Sequence, residues 1–382
     1  MATPDTPVFL SGGASTAFGR LDGRGPLDLI CEAATGAVSH AGLTLDQIDG
    51  LLCGYATTLP HLMLSTLVCE QLGIKPKVSS GMSVGGATGA AMIMQAYDLI
   101  RAGRCESVLV VAGENRLSGQ SRDASIQTLA QVGDPDFEVP NGASVPAYYA
   151  LMASAYLQHS GLTETDLAEF AVLMRRHASG HPGAHLTDAI DVNAVMNSKP
   201  IASPLKLLDC CPISDGAVAL VISARAGEGS VRIAGAGQAH FHQHLSNLTD
   251  VSNTGARCAA DQAFDQAGID REAIDYLAIY DSFTITLAML LEEVGFAPIG
   301  RSAALAREGR YNADGSLPLN THGGLLSFGH AGVAGGMAHA LETLLQLGRR
   351  AGARQIRAGH YAYLHADGGV MSSHVGLILQ SQ

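Results

Sequence analysis

The sequence predicts an α/β fold made of two similar halves, and an internal repeat is the main reason. Residues 33–51 (AATGAVSHAGLTLDQIDGL) match residues 259–277 (AADQAFDQAGIDREAIDYL) without a gap. Eight positions are identical in this window, which is more than chance readily gives. Each half also repeats one order of helices and strands, and the helices are rich in Ala and Gly. Such a pattern indicates duplicated βαβ-rich units.

The repeated windows define the first elements of each half. Each copy begins with a helical run of small residues and stops at a glycine, Gly42 or Gly268. A second short polar helix follows, and then an apolar strand, LLCGYA or YLAIYDSF. Apolar periodicity and a glycine stop are the signals of a helix and its end.

The next elements of the two halves also correspond, although more loosely. The first half reads SVGGATGAAMIMQAYDLIRAGRCESVLVVAG and the second reads GHAGVAGGMAHALETLLQLGRRAGARQIRAGHYAYL. Both contain a Gly-rich turn, a helix of small residues, a basic turn and a strand. Helices with few bulky side chains can pack closely between sheets, so we expect these two to form a buried middle layer.

The halves are expected to span residues 1–225 and 226–382. Residues 115–200 differ from both, with loop sequence, several His and a polar helical pattern. This stretch is interpreted as an inserted loop-and-helix segment that covers the active-site face. The sequence DCCPISDGAVALVIS then predicts a strand that closes the first half.

Composition excludes several classes of function. A net charge of −12 over 382 residues argues against a nucleic-acid partner. No apolar run reaches the length of a membrane span, and the first residues show no secretion signal, so we expect a cytoplasmic protein. The seven scattered cysteines indicate reduced thiols and no zinc site. No metal is expected at His177, His181 and His185 either, because Pro182 and Gly183 break the required helix.

Five separated motifs carry a resemblance to a known family. In chain order they are Gly86-Ala-Thr-Gly-Ala, AGEN at 112–115, CCPISDGA at 210–217, NTHGGLLSFGHAGVAGG at 320–336 and HADGG at 365–369. Their order and spacing resemble the thiolase superfamily, most closely its sterol-carrier-protein type, over nearly the whole chain. The resemblance implies the thiolase fold, in which two βαβαβαββ halves form a five-layer αβαβα sandwich.

The resemblance also shows that the nucleophile is missing. Thiolases place a Cys at the N-terminus of a buried helix, in a C-(A/S)-(T/S)-G turn, where free N–H groups favour the thiolate. Ala87-Thr88-Gly89 matches the rest of that turn, and Ala102-Gly103 matches the end of the helix. The family's spacing puts Gly86 in the position of the Cys. A shifted register would put Met82 there, which supplies no nucleophile either.

The other catalytic loops are changed in part. Tyr280 begins the YDSF sequence where the family has NEAF or HDCF. His330 is kept in a GHA sequence, and His365 begins HADGG where the sterol-carrier type has HNxGG. The resemblance implies Tyr280, His330 and His365 as catalytic side chains. It implies the backbone N–H groups of Gly86 and Gly368 as an oxyanion hole, which needs no side chain.

These residues predict enolate chemistry without an acyl-enzyme. A site that stabilises a thioester enolate but cannot be acylated suits a retro-aldol reaction of a β-hydroxyacyl-CoA. Tyr280 and His330 are the expected acid/base pair, with His330 as the proton-transfer group and Tyr280 as the hydroxyl that orients the substrate or relays the proton. Coenzyme A then enters as the substrate's thioester, and no permanently bound cofactor is expected.

The pattern is similar to the thiolase-like aldolases of steroid side-chain degradation. That similarity implies a small OB-fold, zinc-ribbon protein as a partner. The family also implies a homodimer, paired through an edge of the first half, and the strand in ESVLVVAG is the expected edge.

Two other functions stay open from the sequence. One is an acetyl-CoA acyltransferase that keeps Claisen chemistry through an unrecognised cysteine. The other is a non-catalytic acyl-CoA-binding subunit. The cysteines at 31, 53, 69 and 105 lie outside the motif loops, and Cys210 and Cys211 precede the strand that closes the first half. None stands where the family has a nucleophile.

Overall fold

A computed structural model describes residues 6–142, 144–357 and 359–382 of the chain. Its strands are β1 (Phe9–Ser15), β2 (Gly50–Gly54), β3 (Val78–Met82), β4 (Ser107–Asn115), β5 (Pro200–Ala202), β6 (Leu205–Lys206), β7 (Asp215–Ser223), β8 (Val231–His240), β9 (Tyr276–Ile279), β10 (Tyr361–Gly368) and β11 (Ser373–Ser381). Its α-helices are α1 (Pro26–His40), α2 (Leu64–Leu72), α3 (Thr88–Arg101), α4 (Arg116–Gly119), α5 (Arg122–Ala130), α6 (Val145–Ser160), α7 (Glu164–Ala178), α8 (Val192–Met196), α9 (Ala256–Ala267), α10 (Thr284–Glu293), α11 (Ser302–Arg307) and α12 (Val333–Leu347).

The duplication predicted from the sequence is visible in the strand order. The first half-sheet runs β3-β2-β4-β7-β1, and the second runs β8-β11-β10-β9 from the shared centre outwards. In each half a parallel pair (β2 with β4, β9 with β10) is followed by two antiparallel pairs. The counterpart of β3 is reduced to Leu319, which forms an isolated bridge with Leu277. The first half therefore has the expected βαβαβαββ order, and the second half shortens it by a strand.

The repeated windows fold alike in detail. Helices α1 and α9 carry the Ala-rich runs, and Gly42 and Gly268 follow them with positive φ. The second short helices are 3₁₀ turns at Leu45–Gln47 and Arg271–Ala273, each leading into a buried strand. Glycine suits the left-handed conformation at these helix ends because it has no Cβ.

Helices α3 and α12 form the buried middle layer, as predicted. Both contact strands of the two half-sheets, and they contact each other. Small residues make this possible: a Cβ on Gly89 of α3 would lie 2.5 Å from Cγ of Met337 in α12. Helices α1 and α2 cover the first half-sheet and α9 and α10 cover the second. The five layers of the thiolase fold are thus present, although β1 and β8 also join the half-sheets by hydrogen bonds.

The prediction that ESVLVVAG forms the sheet edge is wrong. Its strand, β4, lies between β2 and β7 and is buried along nearly its whole length. The edge of the first half is β3, which pairs with β2 alone in the described sheet and is partly exposed. A continuous run of apolar residues is typical of a central strand, whereas edge strands are short and more polar.

The inserted segment forms helices α4 to α8 and the β5–β6 hairpin between the last two strands of the first half. Helix α7 packs against α10 and α11, so the insertion rests on the second half of the molecule. The expected closing strand follows as β7, paired with β4 and β1. No described helix is long and apolar enough to cross a membrane.

Candidate active site

A cavity of about 270 Å³ lies where the loops of the two halves meet. Three predicted site residues line it: Gly86, Tyr280 and His330. Apolar walls come from the insertion and from the residue that precedes α10; they include Ile126, Leu129, Val145, Pro146 and Phe283. The cavity therefore combines a few polar groups with a mostly apolar lining, which is the usual form of a small-molecule site.

The phenol of Tyr280 fills the space in front of Gly86. A Cβ built on Gly86 would lie 2.1 Å from the Tyr280 hydroxyl oxygen and 2.4 Å from the backbone oxygen of Asp367. Gly86 stands just before the first turn of α3, where the free N–H groups of a helix point outwards. Position 86 thus lacks a nucleophile and also lacks room for one.

Tyr280 and His330 form a hydrogen-bonded pair. The Tyr280 hydroxyl lies 3.1 Å from His330 Nε2. Burial, with a smaller contribution from the Asp367 carboxyl, raises the pKa of Tyr280 well above its usual range. Burial, helped by the nearby Arg116 guanidinium, lowers the pKa of His330 to about 4. At neutral pH the pair is therefore a neutral phenol and a neutral imidazole that can accept its proton.

A buried ion pair stands at the rim of the cavity. Arg116 lines the cavity, and its Nη2 donates to Glu114 Oε2 at 2.7 Å. Glu114 also accepts hydrogen bonds from the backbone and hydroxyl of Thr57 and from the Thr58 amide at 3.0 Å. These bonds hold the guanidinium in place, because an unpaired buried charge is costly. A fixed cation close to His330 helps to keep the resting imidazole neutral, so that it is free to accept a proton.

His365 and Gly368 are not among the described residues that line the cavity. His365 is 1% exposed and belongs to a buried row of hydrogen-bonded side chains. Its Nδ1 is 2.7 Å from the Tyr363 hydroxyl, and its Nε2 is 3.1 Å from His374 Nδ1. The backbone oxygen of His365 accepts the Tyr280 amide at 2.9 Å, so this residue helps to position Tyr280. The amide of Gly368 lies near the Asp367 carboxyl and lowers its pKa.

Several residues at the cavity were missed by sequence reasoning. They are Tyr149, Arg116 and Asp367, whereas Cys210 and Cys211, which also line the cavity, lie in the CCPISDGA motif singled out from the sequence. The signals for two of them were available, since Arg116 follows the AGEN motif and Asp367 lies within HADGG. Tyr149 comes from the insertion, and its sequence context carries no comparable signal.

Cys210 and Cys211 stand at the cavity but are poorly suited to act as nucleophiles. Burial raises the pKa of Cys210 to about 12, and that of Cys211 well above its usual range. The backbone of Cys211 donates to the oxygen of Ser282 at 3.0 Å, which fixes this segment beside the Tyr280 loop. Because the thiolate is the reactive form, raised pKa values keep both side chains as the less nucleophilic thiols at neutral pH.

Comparisons with known proteins agree with the fold. The family model "Thiolase, N-terminal domain" matches residues 8–226, and "Thiolase C-terminal domain-like" matches residues 237–381. An acetyl-CoA acetyltransferase of Methanothermobacter thermautotrophicus is 29% identical over 95% of this chain and 96% of its own length. A steroid side-chain-cleaving aldolase of Thermomonospora curvata is 30% identical over 88% of this chain and 89% of its own length. A solved structure titled "Ltp2-ChsH2(DUF35) aldolase" aligns with a TM-score of 0.86 at 28% identity, covering 98% of each chain.

Proposed function

Because this chain belongs to the thiolase family, we propose that it acts on acyl-CoA thioesters by aldol chemistry. The proposed reaction is the retro-aldol cleavage of a β-hydroxyacyl-CoA, or its reverse, without an acyl-enzyme. The observation that carries this proposal is the Tyr280 hydroxyl standing 2.1 Å from the place where a side chain on Gly86 would begin. The Tyr280 hydroxyl therefore occupies the space in which a thiolase has its nucleophilic side chain.

The Tyr280–His330 pair supports a proton relay for the first step. The substrate's β-hydroxyl gives its proton to Tyr280 while the Tyr280 proton passes to His330 Nε2, 3.1 Å away. The electrons of the O–H bond form the new carbonyl group. The bond between Cα and Cβ breaks, and its electrons pass to Cα as the acyl-CoA enolate.

The turn before α3 is suited to hold the enolate. The thioester oxygen becomes negative in this step, and backbone N–H groups at a helix N-terminus stabilise such a charge. Gly86 brings the backbone of this turn to the wall of the cavity without a side chain in between. A single well-placed donor of this kind contributes about 2.7–4 kcal/mol to a transition state.

The acyltransferase alternative depends on Cys210 or Cys211. Both line the cavity. Two relatives named acetyl-CoA acetyltransferases align with 95% and 89% of this chain. The raised pKa of each thiol argues against the thiolate that Claisen chemistry requires. The aldol proposal needs neither thiol.

The test of the proposed function is a product assay. With a β-hydroxyacyl-CoA and with any partner protein present, we expect acyl-CoA and the matching carbonyl compound to form in a 1:1 ratio without free CoA as a co-substrate. Replacing both Cys210 and Cys211 by serine should leave that rate within a few-fold of the wild type. If product formation requires free CoA, or if it is lost in the Cys210→Ser, Cys211→Ser variant, the acyltransferase function is favoured instead.

The proposed assembly is a homodimer joined through β3. This strand has one sheet neighbour in the described structure and an exposed edge whose backbone groups can pair with a second copy. The solved neighbour is titled with a DUF35 component, which supports a partner protein here as well, and we propose that it is the small OB-fold, zinc-ribbon protein that the resemblance implies. Sedimentation should give a dimer at micromolar concentration, and Ser80→Pro in β3 should shift it to monomer. A wild-type monomer throughout that range would contradict the proposal.

A further inference from the structure

Asp367 carries a buried oxygen to which no described residue donates a hydrogen bond. The residue lies near the end of β10, lines the cavity and is 1% exposed. Its Oδ2 accepts a hydrogen bond from the Tyr149 hydroxyl at 2.9 Å. Its Oδ1 is buried and makes no hydrogen bond to any described residue. Buried polar atoms in native proteins are nearly always paired, so an orphan at a cavity wall indicates a partner that arrives with the ligand.

The surroundings of Asp367 favour its neutral, protonated form. Burial raises its pKa well above the usual range, and Glu293 adds to that effect. The Tyr149 hydroxyl and nearby backbone N–H groups offset only part of it. The Tyr149 ring is itself held by stacking on Phe283, with 4.4 Å between the ring centres. A carboxylic acid in this state has one proton to give, and Oδ1 is the oxygen that makes no hydrogen bond to a described residue.

Asp367 is also close to the atoms that the proposed reaction uses. Its backbone oxygen lies 2.4 Å from the Cβ position of Gly86, the same point that the Tyr280 hydroxyl approaches. Asp367 lines the same cavity as Tyr280 and His330, and its carboxyl is near enough to Tyr280 to contribute to the raised pKa of that phenol. A retro-aldol reaction needs two such groups, because the β-hydroxyl loses a proton and the enolate gains one at Cα.

We propose that Asp367 is the acid that protonates Cα of the acyl-CoA enolate. This inference rests on the proposed function and adds a catalytic residue to it. The electron pair released from the Cα–Cβ bond forms a new C–H bond with the Asp367 proton, which leaves a carboxylate. Asp367 is reprotonated and the His330 imidazolium gives up its proton before the next turnover, so the β-hydroxyl proton is balanced by the new proton at Cα and nothing is oxidised or reduced.

The main test compares Asp367→Asn with the wild-type protein. Asparagine keeps the shape and an acceptor for Tyr149 but has no proton to transfer. We expect the rate of β-hydroxyacyl-CoA cleavage to fall about 10²–10⁴-fold. Asp209→Asn is the matched control, since Asp209 is also a buried carboxyl with a raised pKa but does not line the cavity. It should keep near-wild-type turnover per folded molecule, as judged by thermal unfolding and acyl-CoA binding.

The pH profile separates an acid from a structural carboxyl. The wild-type rate should decline as the pH rises through the pKa of Asp367, because the protonated form is the active one. Tyr149→Phe removes a bond that lowers this pKa, so the decline should move to higher pH. This second variant tests the proposal even where Asp367→Asn fails to fold.

Three results would overturn the assignment or its premise. Folded Asp367→Asn that turns over within threefold of wild type removes Asp367 from the reaction but leaves the retro-aldol proposal standing. If the decline of the rate at high pH occurs at the same pH in Tyr149→Phe as in the wild type, Asp367 is likewise not the acid. A wild-type protein that binds acyl-CoA yet cleaves no β-hydroxyacyl-CoA refutes the proposed function, and the role of Asp367 with it.

Discussion

Replacing His330 with alanine is expected to lower the cleavage of a β-hydroxyacyl-CoA about 10²–10⁴-fold, the usual contribution of a general base. His330 Nε2 is the acceptor at the end of the relay, 3.1 Å from the Tyr280 hydroxyl. Tyr280→Phe should produce a loss in the same range, because it removes the hydroxyl and leaves the ring. The two losses should not add in the double variant, since both residues serve one proton transfer.

The matched control for the tyrosine is Tyr311→Phe. Tyr311 is fully buried but outside the cavity, and its hydroxyl donates a long hydrogen bond of 3.4 Å to the Phe296 oxygen. This variant should keep its turnover.

The imidazole of His330 must be neutral to act as the base. The wild-type rate should therefore fall as the pH drops through about 4, the pKa to which burial lowers His330. Turnover near the wild-type level in folded His330→Ala and Tyr280→Phe would remove both residues from the mechanism.

Replacing Gly86 with alanine is expected to abolish turnover and to lower the free energy of unfolding. The added methyl group would meet the Tyr280 hydroxyl at 2.1 Å and the Asp367 backbone oxygen at 2.4 Å, so both must move. Overpacking a rigid site typically costs about 1–3 kcal/mol. Urea unfolding followed by fluorescence or circular dichroism measures the loss. Gly227→Ala is the control, because its nearest contact would be an ordinary 3.9 Å.

A second variant shows whether the tyrosine causes the crowding. Asparagine stands at the position of Tyr280 in the family's NEAF loop, and its shorter side chain should leave space beside residue 86. Gly86→Ala combined with Tyr280→Asn should therefore recover part of the lost stability without recovering turnover. Gly86→Ala that is as stable and as active as the wild type would show that the site is more open than this geometry allows.

The duplicated architecture could be predicted because it rests on local signals. The repeated windows carry a helix of small residues, a glycine stop and an apolar strand, and each signal acts within a few residues. The middle position of α3 and α12 followed from their composition, since only small side chains allow close packing between sheets. The edge strand was mistaken because strand neighbours depend on contacts far apart in the sequence. The composition of β4 and β3 did hold a clue, as a wholly apolar strand is typical of a sheet centre.

The site could be predicted only in part. Motif positions gave Gly86, Tyr280 and His330, and all three line the cavity. His365 was taken as a loop residue, but β10 continues to Gly368, so His365 lies two residues deeper in the strand than Asp367. In a strand, residues two apart share a face, and the one at the strand end reaches the cavity. The contact of Tyr149 with Asp367 joins the insertion to β10 and follows from no local pattern.

The most direct test of the central claim is the mass of the intact protein during turnover. The reaction with a β-hydroxyacyl-CoA is quenched at times shorter and longer than one turnover, with any partner present. The account predicts an unmodified chain at every time, while acyl-CoA and the carbonyl product accumulate in equal amounts. An acyl adduct that appears and decays at the rate of turnover, on Cys210, Cys211 or any other residue, would contradict it.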